Sequence, residues 1–338
     1  MRIAVVATVA LLAAVATPRL VAGQAAAQPA VAPAAQRLRL IVAPTRVRLG
    51  HSPLISVSDS RRSGGVSGIV CASAARHSKR CRTIHLRAGK PVLALHIPLT
   101  AARRWTISLR SASGGGVARR TVDVGRAARY RVLVTGDSMV YGIIDVLGRS
   151  VRATGGTLHG DPNPGSGITK PMLVDWPVHA RASVRTLHPD ATVVFLGAAV
   201  DAFPLTSAAG QSIDCCGREW IAAYARRVHA MMTTYLRGGH ALVYWVLLPL
   251  ARDPARTESI KAINAAITQA AASIGDGVRL VDIAPDVTPH GQYTDTIAYH
   301  GKQVAVREPD GMHLANAGVH IATTVILRAM RRDGLVEP

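Results

Sequence analysis

Aromatic side chains are scarce in this chain of 338 residues, at 4% of the sequence. Proteins that hold single-stranded nucleic acid stack its bases on aromatic rings, so this scarcity speaks against that class. Hydrophobic residues make up 49% of the chain and charged residues only 18%, which excludes an intrinsically disordered protein. The length is sufficient for two domains with buried cores.

Cysteine is also rare, with four residues in the whole chain: Cys71, Cys81, Cys215 and Cys216. Neither a Cys-x-x-Cys nor a His-x-x-x-His spacing occurs, so we expect no structural zinc site. Three full disulfide pairings are possible. The most economical pairing joins Cys71 to Cys81 and leaves Cys215 and Cys216 as a vicinal bridge or as free thiols.

Long hydrophobic runs are missing except at the start, where Arg2 precedes an apolar stretch over residues 3–16. The stretch ends in small residues and is shorter than the roughly 20 residues of a membrane-spanning helix. This pattern predicts a secretory signal peptide over residues 1–23, with an uncleaved anchor as the alternative. Residues 24–37 are rich in Ala, Pro and Gln and predict a flexible linker. We therefore expect a secreted or cell-envelope-associated protein.

Acidic residues are nearly absent from one half of the chain. Residues 24–129 hold 19 basic and 2 acidic side chains, whereas residues 130–338 hold 19 and 18. Alternating apolar residues with Gly/Ser-rich turns predict a small antiparallel β-sandwich over residues 38–127, an accessory domain. Its charge suits docking on an anionic cell-wall polymer or membrane surface. A solvated cationic face is the alternative, and no nucleic-acid partner is expected for an exported protein.

The nearly neutral half alternates β-rich runs with helical periodicity, which predicts a parallel sheet covered by helices on both faces. Its first strand stops at Gly136-Asp137-Ser138, directly before a helical pattern. Ser138 thus stands at the carboxyl end of a strand, where sites gather in such folds. A serine that only caps a helix is the alternative interpretation.

A second motif, Asp310-Gly311-Met312-His313, precedes the last predicted helix. A serine hydroxyl is a weak nucleophile that needs a base, and an aspartate three residues before a histidine can hold that base in the correct tautomer. Together the two motifs predict a Ser–His–Asp triad.

On these motifs the half from Arg131 to about Arg332 resembles the SGNH/GDSL hydrolases, and we expect a domain of this kind over residues 130–335. With the supporting segments 166–171, 175–177, 215–220 and 244–249, the half is most similar to the actinobacterial secreted SGNH-like subgroup. The resemblance implies a three-layer α/β/α flavodoxin-like domain without metal or organic cofactor. It implies Ser138 as nucleophile, His313 as general acid and base, and Asp310 as the residue that orients His313.

The family's oxyanion hole combines the nucleophile's N–H, a glycine N–H and an asparagine side chain. The resemblance implies Ser138 and Gly167 for the first two, with Gly165 as the alternative glycine. Where the family has the asparagine, residues 197–203 read Gly-Ala-Ala-Val-Asp-Ala-Phe, and no amide is present. An ionised Asp201 cannot donate in its place. Asp137, Asp201 and Trp176 are further candidates for substrate binding, with a buried structural role as the alternative for Trp176.

These features predict a secreted serine esterase or deacetylase that acts on ester groups, O-acetyl groups being expected, of a cell-envelope glycan or glycolipid. A small ester is the other expected substrate. The alternatives are an O-acyltransferase on the same substrates and a catalytically degenerate wall-binding protein. A further alternative is an adhesion protein that works through the cationic half.

Overall fold

The computed structural model describes most of the chain from residue 38 onward, and all described residues belong to one compact unit that spans residues 34–338. The described ranges are 38–48, 53–59, 65–75, 79–87, 92–97, 99, 103–112, 116–125, 130–198, 201–207, 209–274 and 277–336. The predicted signal peptide and linker lie outside them. None of the helices within these ranges is long and apolar enough to cross a membrane.

Two sheets form the first part of the described chain, one of three strands (order β1-β3-β6) and one of five (order β2-β8-β7-β4-β5). Their strands are β1 (Leu38–Ala43), β2 (Arg46–Arg48), β3 (Leu54–Asp59), β4 (Val66–Ser73), β5 (Arg80–Leu86), β6 (Val92–Leu95), β7 (Arg104–Ser111) and β8 (Gly116–Gly125).

Strand β7 shows why these residues form a sandwich. Trp105, Ile107 and Leu109 alternate with more exposed residues and enter a core to which both sheets contribute. A period of two is what a sheet with one solvated face requires. All pairs are antiparallel except β2 with β8, which is parallel, so the sandwich is mixed where a purely antiparallel one was expected. Cys71 and Cys81 face each other across β4 and β5 and form a disulfide.

A five-stranded sheet forms the centre of the second part, and all its pairs are parallel. The strands are β9 (Arg131–Gly136), β10 (Thr157–Pro162), β11 (Ala191–Phe195), β14 (Leu242–Leu247) and β15 (Val278–Asp282), in the order β10-β9-β11-β14-β15. Counted along the sheet this order is 2-1-3-4-5, the flavodoxin-like arrangement. The predicted fold class is confirmed.

Helices cover the sheet on both faces, as the near-continuous burial of strand β11 requires. They are α1 (Tyr141–Ala153), α2 (Trp176–Leu187), α3 (Arg218–Tyr235), α4 (Pro254–Ile274), α5 (Ala284–Val287) and α6 (Asn316–Arg332). Helix α1 packs with α6, while α2, α3 and α4 pack side by side. Two hairpins, β12 (Leu205–Thr206) with β13 (Ser212–Ile213) and β16 (Thr296–Tyr299) with β17 (Lys302–Ala305), extend from the sheet's connections.

The sandwich and the α/β part have separate hydrophobic cores that meet along strand β1. Ala43 belongs to the α/β core, and the Val42 N–H donates to the Gly239 carbonyl at 3.0 Å. Asp190 accepts from the Thr45 hydroxyl at 3.3 Å, and burial raises the pKa of its carboxyl despite nearby arginines. The domain boundaries themselves stay a prediction.

Candidate active site

The nucleophile candidate stands on a tight turn between a strand and a helix. Strand β9 ends at Gly136, and Ser138 begins a short 3-10 turn that leads into α1. A side chain at Gly136 would collide with the Phe195 carbonyl oxygen, so the backbone approaches the neighbouring strand as only glycine allows. Ser138 therefore lies at the carboxyl edge of the sheet, as the sequence predicted.

Asp137 holds this turn in place. Its buried carboxylate accepts hydrogen bonds from the N–H groups of Met139 (3.0 Å), Gly197 (2.9 Å) and Ala198 (2.9 Å). The nucleophile turn is thereby tied to the loop that follows β11. These bonds occupy a fully buried group, so the structure favours a positioning role for Asp137, and direct substrate contact stays a prediction.

Three predicted residues form one hydrogen-bonded chain. The Ser138 Oγ lies 2.7 Å from His313 Nε2, and His313 Nδ1 lies 2.5 Å from Asp310 Oδ2. The second Asp310 oxygen accepts from the N–H groups of Met312 (2.9 Å) and His313 (3.0 Å). Partial burial by itself raises the pKa of the Asp310 carboxyl, but these hydrogen bonds outweigh it and bring the pKa below its ordinary value.

Arg252, which the sequence analysis did not single out, clamps the turn that carries His313. Its backbone N–H donates to the Gly311 carbonyl at 3.0 Å, and its guanidinium donates to the Pro309 carbonyl at 2.8 Å. The same guanidinium pairs with Asp295 at 2.6 Å. Gly311 has φ +72°, and a Cβ there would lie 2.6 Å from that of Arg252. The turn thus needs both its glycine and its arginine.

The predicted glycine lies in a loop that a buried carboxylate holds. Asp201 accepts from the N–H groups of Ile168 and Thr169, both at 2.7 Å, and from the Tyr224 hydroxyl at 2.7 Å. A Cβ on Gly167 would overlap the Asp201 carboxylate. Asp201 is 1% exposed, so it supports this loop, and its contact with substrate stays a prediction.

The two residues predicted for the oxyanion hole have backbone N–H groups without a protein acceptor in the described part of the chain, and their role stays a prediction. Within the described residues, the N–H groups of Ser138 and Gly167 donate to no protein acceptor, whereas their neighbours Met139 and Ile168 are bonded to carboxylates. Gly165 is exposed with φ +74°, and its carbonyl accepts from the Lys170 ammonium at 3.1 Å. Gly167 is buried against Asp201 whereas Gly165 is exposed, so Gly167 stays the first candidate and Gly165 the alternative.

A second His–Asp pair lies beside the site and was not foreseen. His179 Nε2 is 2.6 Å from Asp161 Oδ2, and Asp161 also accepts from the Thr135 hydroxyl (2.9 Å) and the Asn163 amide (3.1 Å). The hydrogen bond to Asp161 raises the pKa of His179. Burial raises the pKa of Asp161, but its hydrogen bonds prevail and the pKa is lowered. Trp176 is 1% exposed and meets the His179 ring edge-on, so it packs inside the domain.

Cys215 and Cys216 are joined to each other in the turn before α3, so the vicinal bridge is the alternative that the structure contains. In the part of the chain that is described, no cluster of three or more His, Cys, Asp or Glu side chains could hold a metal ion.

A parallel sheet of order 2-1-3-4-5, with serine, histidine and aspartate linked at its carboxyl edge, defines an SGNH hydrolase-like domain. The resemblance inferred from the sequence is confirmed at this level. The chain belongs to the family described as "Protein of unknown function (DUF459)", whose family model matches residues 131–329.

Comparison with solved structures finds similar chains at low identity. A GDSL-like lipase from Bacteroides thetaiotaomicron is 18% identical, with 60% of this chain and 88% of that chain covered and a TM-score of 0.40. A family two carbohydrate esterase from Cellvibrio japonicus is 10% identical (88% and 95% covered, TM-score 0.40). The C-terminal catalytic domain of peptidoglycan O-acetyltransferase A from Streptococcus pneumoniae is 12% identical (61% and 95% covered, TM-score 0.39). No curated protein matches the sequence significantly.

Proposed function

We propose that this protein is a serine esterase that cleaves ester groups of a cell-envelope glycan or glycolipid outside the cytoplasm. The observation that carries the proposal is the unbroken chain from the Ser138 hydroxyl through His313 to Asp310. Such a chain at a strand-to-helix turn is the arrangement that activates a serine for acyl transfer.

The proposed reaction has two halves. Asp310 accepts a hydrogen bond from the Nδ1–H of His313, which leaves Nε2 as the acceptor for the Ser138 proton. The Ser138 oxygen attacks the ester carbonyl, and the alcohol departs with the proton from His313. Water then attacks the acyl-enzyme and loses its proton to His313. The bond between the acyl group and Ser138 Oγ breaks, Ser138 takes the proton back from His313, and the acid is released.

The oxyanion donors in this proposal are two backbone groups, the N–H of Ser138 and the N–H of Gly167. Loss of one donor typically costs about 10² to 10³ in turnover. Because the family's asparagine is absent from residues 197–203, we expect slow hydrolysis relative to enzymes with three donors. Asp201 does not fill the gap, since its oxygens already accept hydrogen bonds from the loop it supports.

The proposed substrate class rests on two further features of the chain. The apolar stretch over residues 3–16 supports export, and the excess of 19 basic over 2 acidic side chains in residues 24–129 suits an anionic envelope polymer. Both features are drawn from the sequence, and neither involves the triad.

A fluorophosphonate probe tests the catalytic proposal directly. We expect mass spectrometry of the intact chain to find one adduct on Ser138, absent in Ser138→Ala and in protein treated with the probe after denaturation. Ser259→Ala, which replaces a partly exposed serine on α4, is the matched control and should label like wild type. Absence of the adduct in the folded wild-type protein would exclude an active serine esterase and favour a degenerate binding domain.

A further inference from the structure

Large hydrophobic side chains are exposed mainly around one edge of the α/β sheet. Seven are exposed in the described part of the chain, and five of these follow the carboxyl ends of β9, β10 and β11. We call these five the apolar rim: Tyr141, Met172, Leu173, Val178 and Phe203. Of the other two, Ile69 lies on strand β4 of the sandwich and Tyr299 on the hairpin β16–β17.

The rim adjoins the predicted oxyanion side of the site. Tyr141 begins helix α1, three residues after Ser138. Two successive turns connect Gly167 to Leu173. The Lys170 N–H donates to the Gly167 carbonyl at 3.1 Å, and the Leu173 N–H donates to the Lys170 carbonyl at 3.0 Å. The Lys170 ammonium also lies 5.2 Å from the centre of the Phe203 ring. Chain connectivity therefore links the rim to Gly167.

Exposure of large apolar side chains to water costs free energy, and folded proteins usually bury such side chains. Met172 is 80% exposed and Leu173 61% exposed, and they are adjacent in sequence. Single exposed hydrophobic residues are ordinary, but apolar side chains gathered at one edge mark a surface that binds something apolar. The nucleophile lies at the same edge, so the bound group belongs to the substrate.

The histidine side of the site has the opposite character. Glu308, Pro309 and Asp310 are exposed, and the exposed Arg252–Asp295 ion pair lies against them. His313 protonates the departing alcohol, so the alcohol portion of an ester leaves on this polar side. The acyl portion of the ester then lies on the other side of the site, next to Ser138, Gly167 and the apolar rim.

We propose that the substrate is an amphipathic ester in which a medium or long alkyl acyl chain binds the apolar rim and a polar alcohol faces the histidine turn. This inference rests on the proposed esterase function and narrows it. It departs from the O-acetyl groups expected from the sequence, because an acetyl group is too short to cover the rim.

Two soluble esters with the same leaving group test the inference. We expect wild-type protein to give a kcat/KM for p-nitrophenyl octanoate at least tenfold above that for p-nitrophenyl acetate, below the concentration at which octanoate esters aggregate. Formation of acyl-Ser138, followed by mass spectrometry, gives the same ratio if turnover is slow. The double variant Met172→Ser/Leu173→Ser should lower this octanoate-to-acetate ratio at least fivefold, since each buried methylene favours binding.

Ile69→Ser is the matched control, because it removes an exposed aliphatic side chain from the sandwich. It should leave the octanoate-to-acetate ratio unchanged. A wild-type ratio below one, or a ratio that the double variant leaves unchanged, would overturn the inference while the esterase proposal stands. No reaction of either ester, together with no probe adduct on Ser138, would overturn both.

Discussion

The sandwich and the α/β part of this chain use charge in different ways. In the sandwich, positive side chains such as Arg80, Arg82 and Arg104 are exposed, and carboxylates are few. In the α/β part, the carboxylates of Asp137 and Asp201 are buried at the carboxyl edge of the sheet, where N–H and hydroxyl donors surround them.

Exposed charges and buried charges have different effects on the residues around them. An exposed charge is screened within about 10 Å at ordinary salt and fixes no neighbour in place. A buried carboxylate must be satisfied by several donors and therefore fixes the loops that supply them. We infer that catalysis depends on the α/β part and that the exposed charges of the sandwich contribute a salt-screened attraction to anionic partners.

Asp310→Asn should give the largest effect. The asparagine amide can donate to His313 Nδ1, which forces the proton onto Nε2 and removes the base for Ser138. We expect the rate of ester hydrolysis to fall by about 10³ to 10⁴, with little change in thermal stability because the side chain is half exposed. Initial rates and melting curves measure both.

The matched control for this variant is Asp286→Asn, an exposed aspartate on α5. Its hydrolysis rate should equal that of wild type. If Asp310→Asn kept more than a tenth of wild-type activity, the triad assignment would be wrong.

Arg252→Ala should give the next largest effect, roughly a tenfold loss of kcat, because misplacement of a catalytic group by a fraction of an ångström slows the chemical step. KM should change less, since the arginine acts through the histidine turn by holding the Pro309 carbonyl and Asp295. Arg252→Lys should restore part of kcat. Arg256→Ala, which removes an exposed arginine of α4 paired with Asp253, should have no effect on kcat.

The contrast between local and distant contacts also explains what the sequence could predict. The nucleophile turn and the histidine turn are each contiguous motifs, and the alternation of β-rich and helical runs carries the sheet and its class. Short-range patterns of this kind reflect local backbone geometry.

No short-range sequence pattern predicts the contacts that support the site. Asp201 holds the Ile168 N–H from 33 positions away, and Arg252 reaches the Pro309 carbonyl across 57 positions. Nothing in the spacing of these residues shows that their loops meet. The structure buries Asp201 and Trp176, which for Trp176 is the structural role that the sequence also allowed, and the contact of either residue with substrate stays a prediction. Loop geometry is set by tertiary packing, which one sequence does not display.

The His179–Asp161 pair gives a smaller, pH-dependent effect on stability. The pKa of His179 is raised in the folded state, so its stabilising charge is fully present below the unfolded value near 6.5 and is lost as pH rises through the folded value. The pKa of Asp161 is lowered, so its contribution is present above about pH 4 and is lost under stronger acid.

We therefore expect His179→Gln, which keeps an amide donor but no charge, to destabilise the protein most between about pH 5 and 6.5. Urea unfolding at pH 5.5 and pH 9 measures this difference. A penalty that grows from pH 5.5 to pH 9 would contradict the assigned direction. His188→Gln is the control for loss of an imidazole ring, since His188 lies at the end of α2 without a carboxylate partner among the described residues.

The smallest effect on folding and hydrolysis is expected from the sandwich. Arg80 and Arg82 lie exposed on strand β5, so Arg80→Gln/Arg82→Gln should change the free energy of unfolding by no more than about 0.5 kcal/mol. Hydrolysis of small esters should not change. The variant should elute from an anionic polymer such as carboxymethyl cellulose at a lower salt concentration than wild type, because fewer positive charges contribute to the attraction.

Charge variants test the sandwich more cleanly than its deletion, because strand β1 contributes Ala43 to the α/β core and Val42 bonds to Gly239. Arg328→Gln, on α6, removes an exposed charge from the α/β part and is the comparison for elution. If the salt concentration at elution shifts equally per charge removed from either part, binding to the polymer depends on net charge alone. A larger shift from strand β5 would locate the polymer-binding face on the sandwich, and a loss of hydrolysis in the β5 variant would contradict the separation of roles between the two parts.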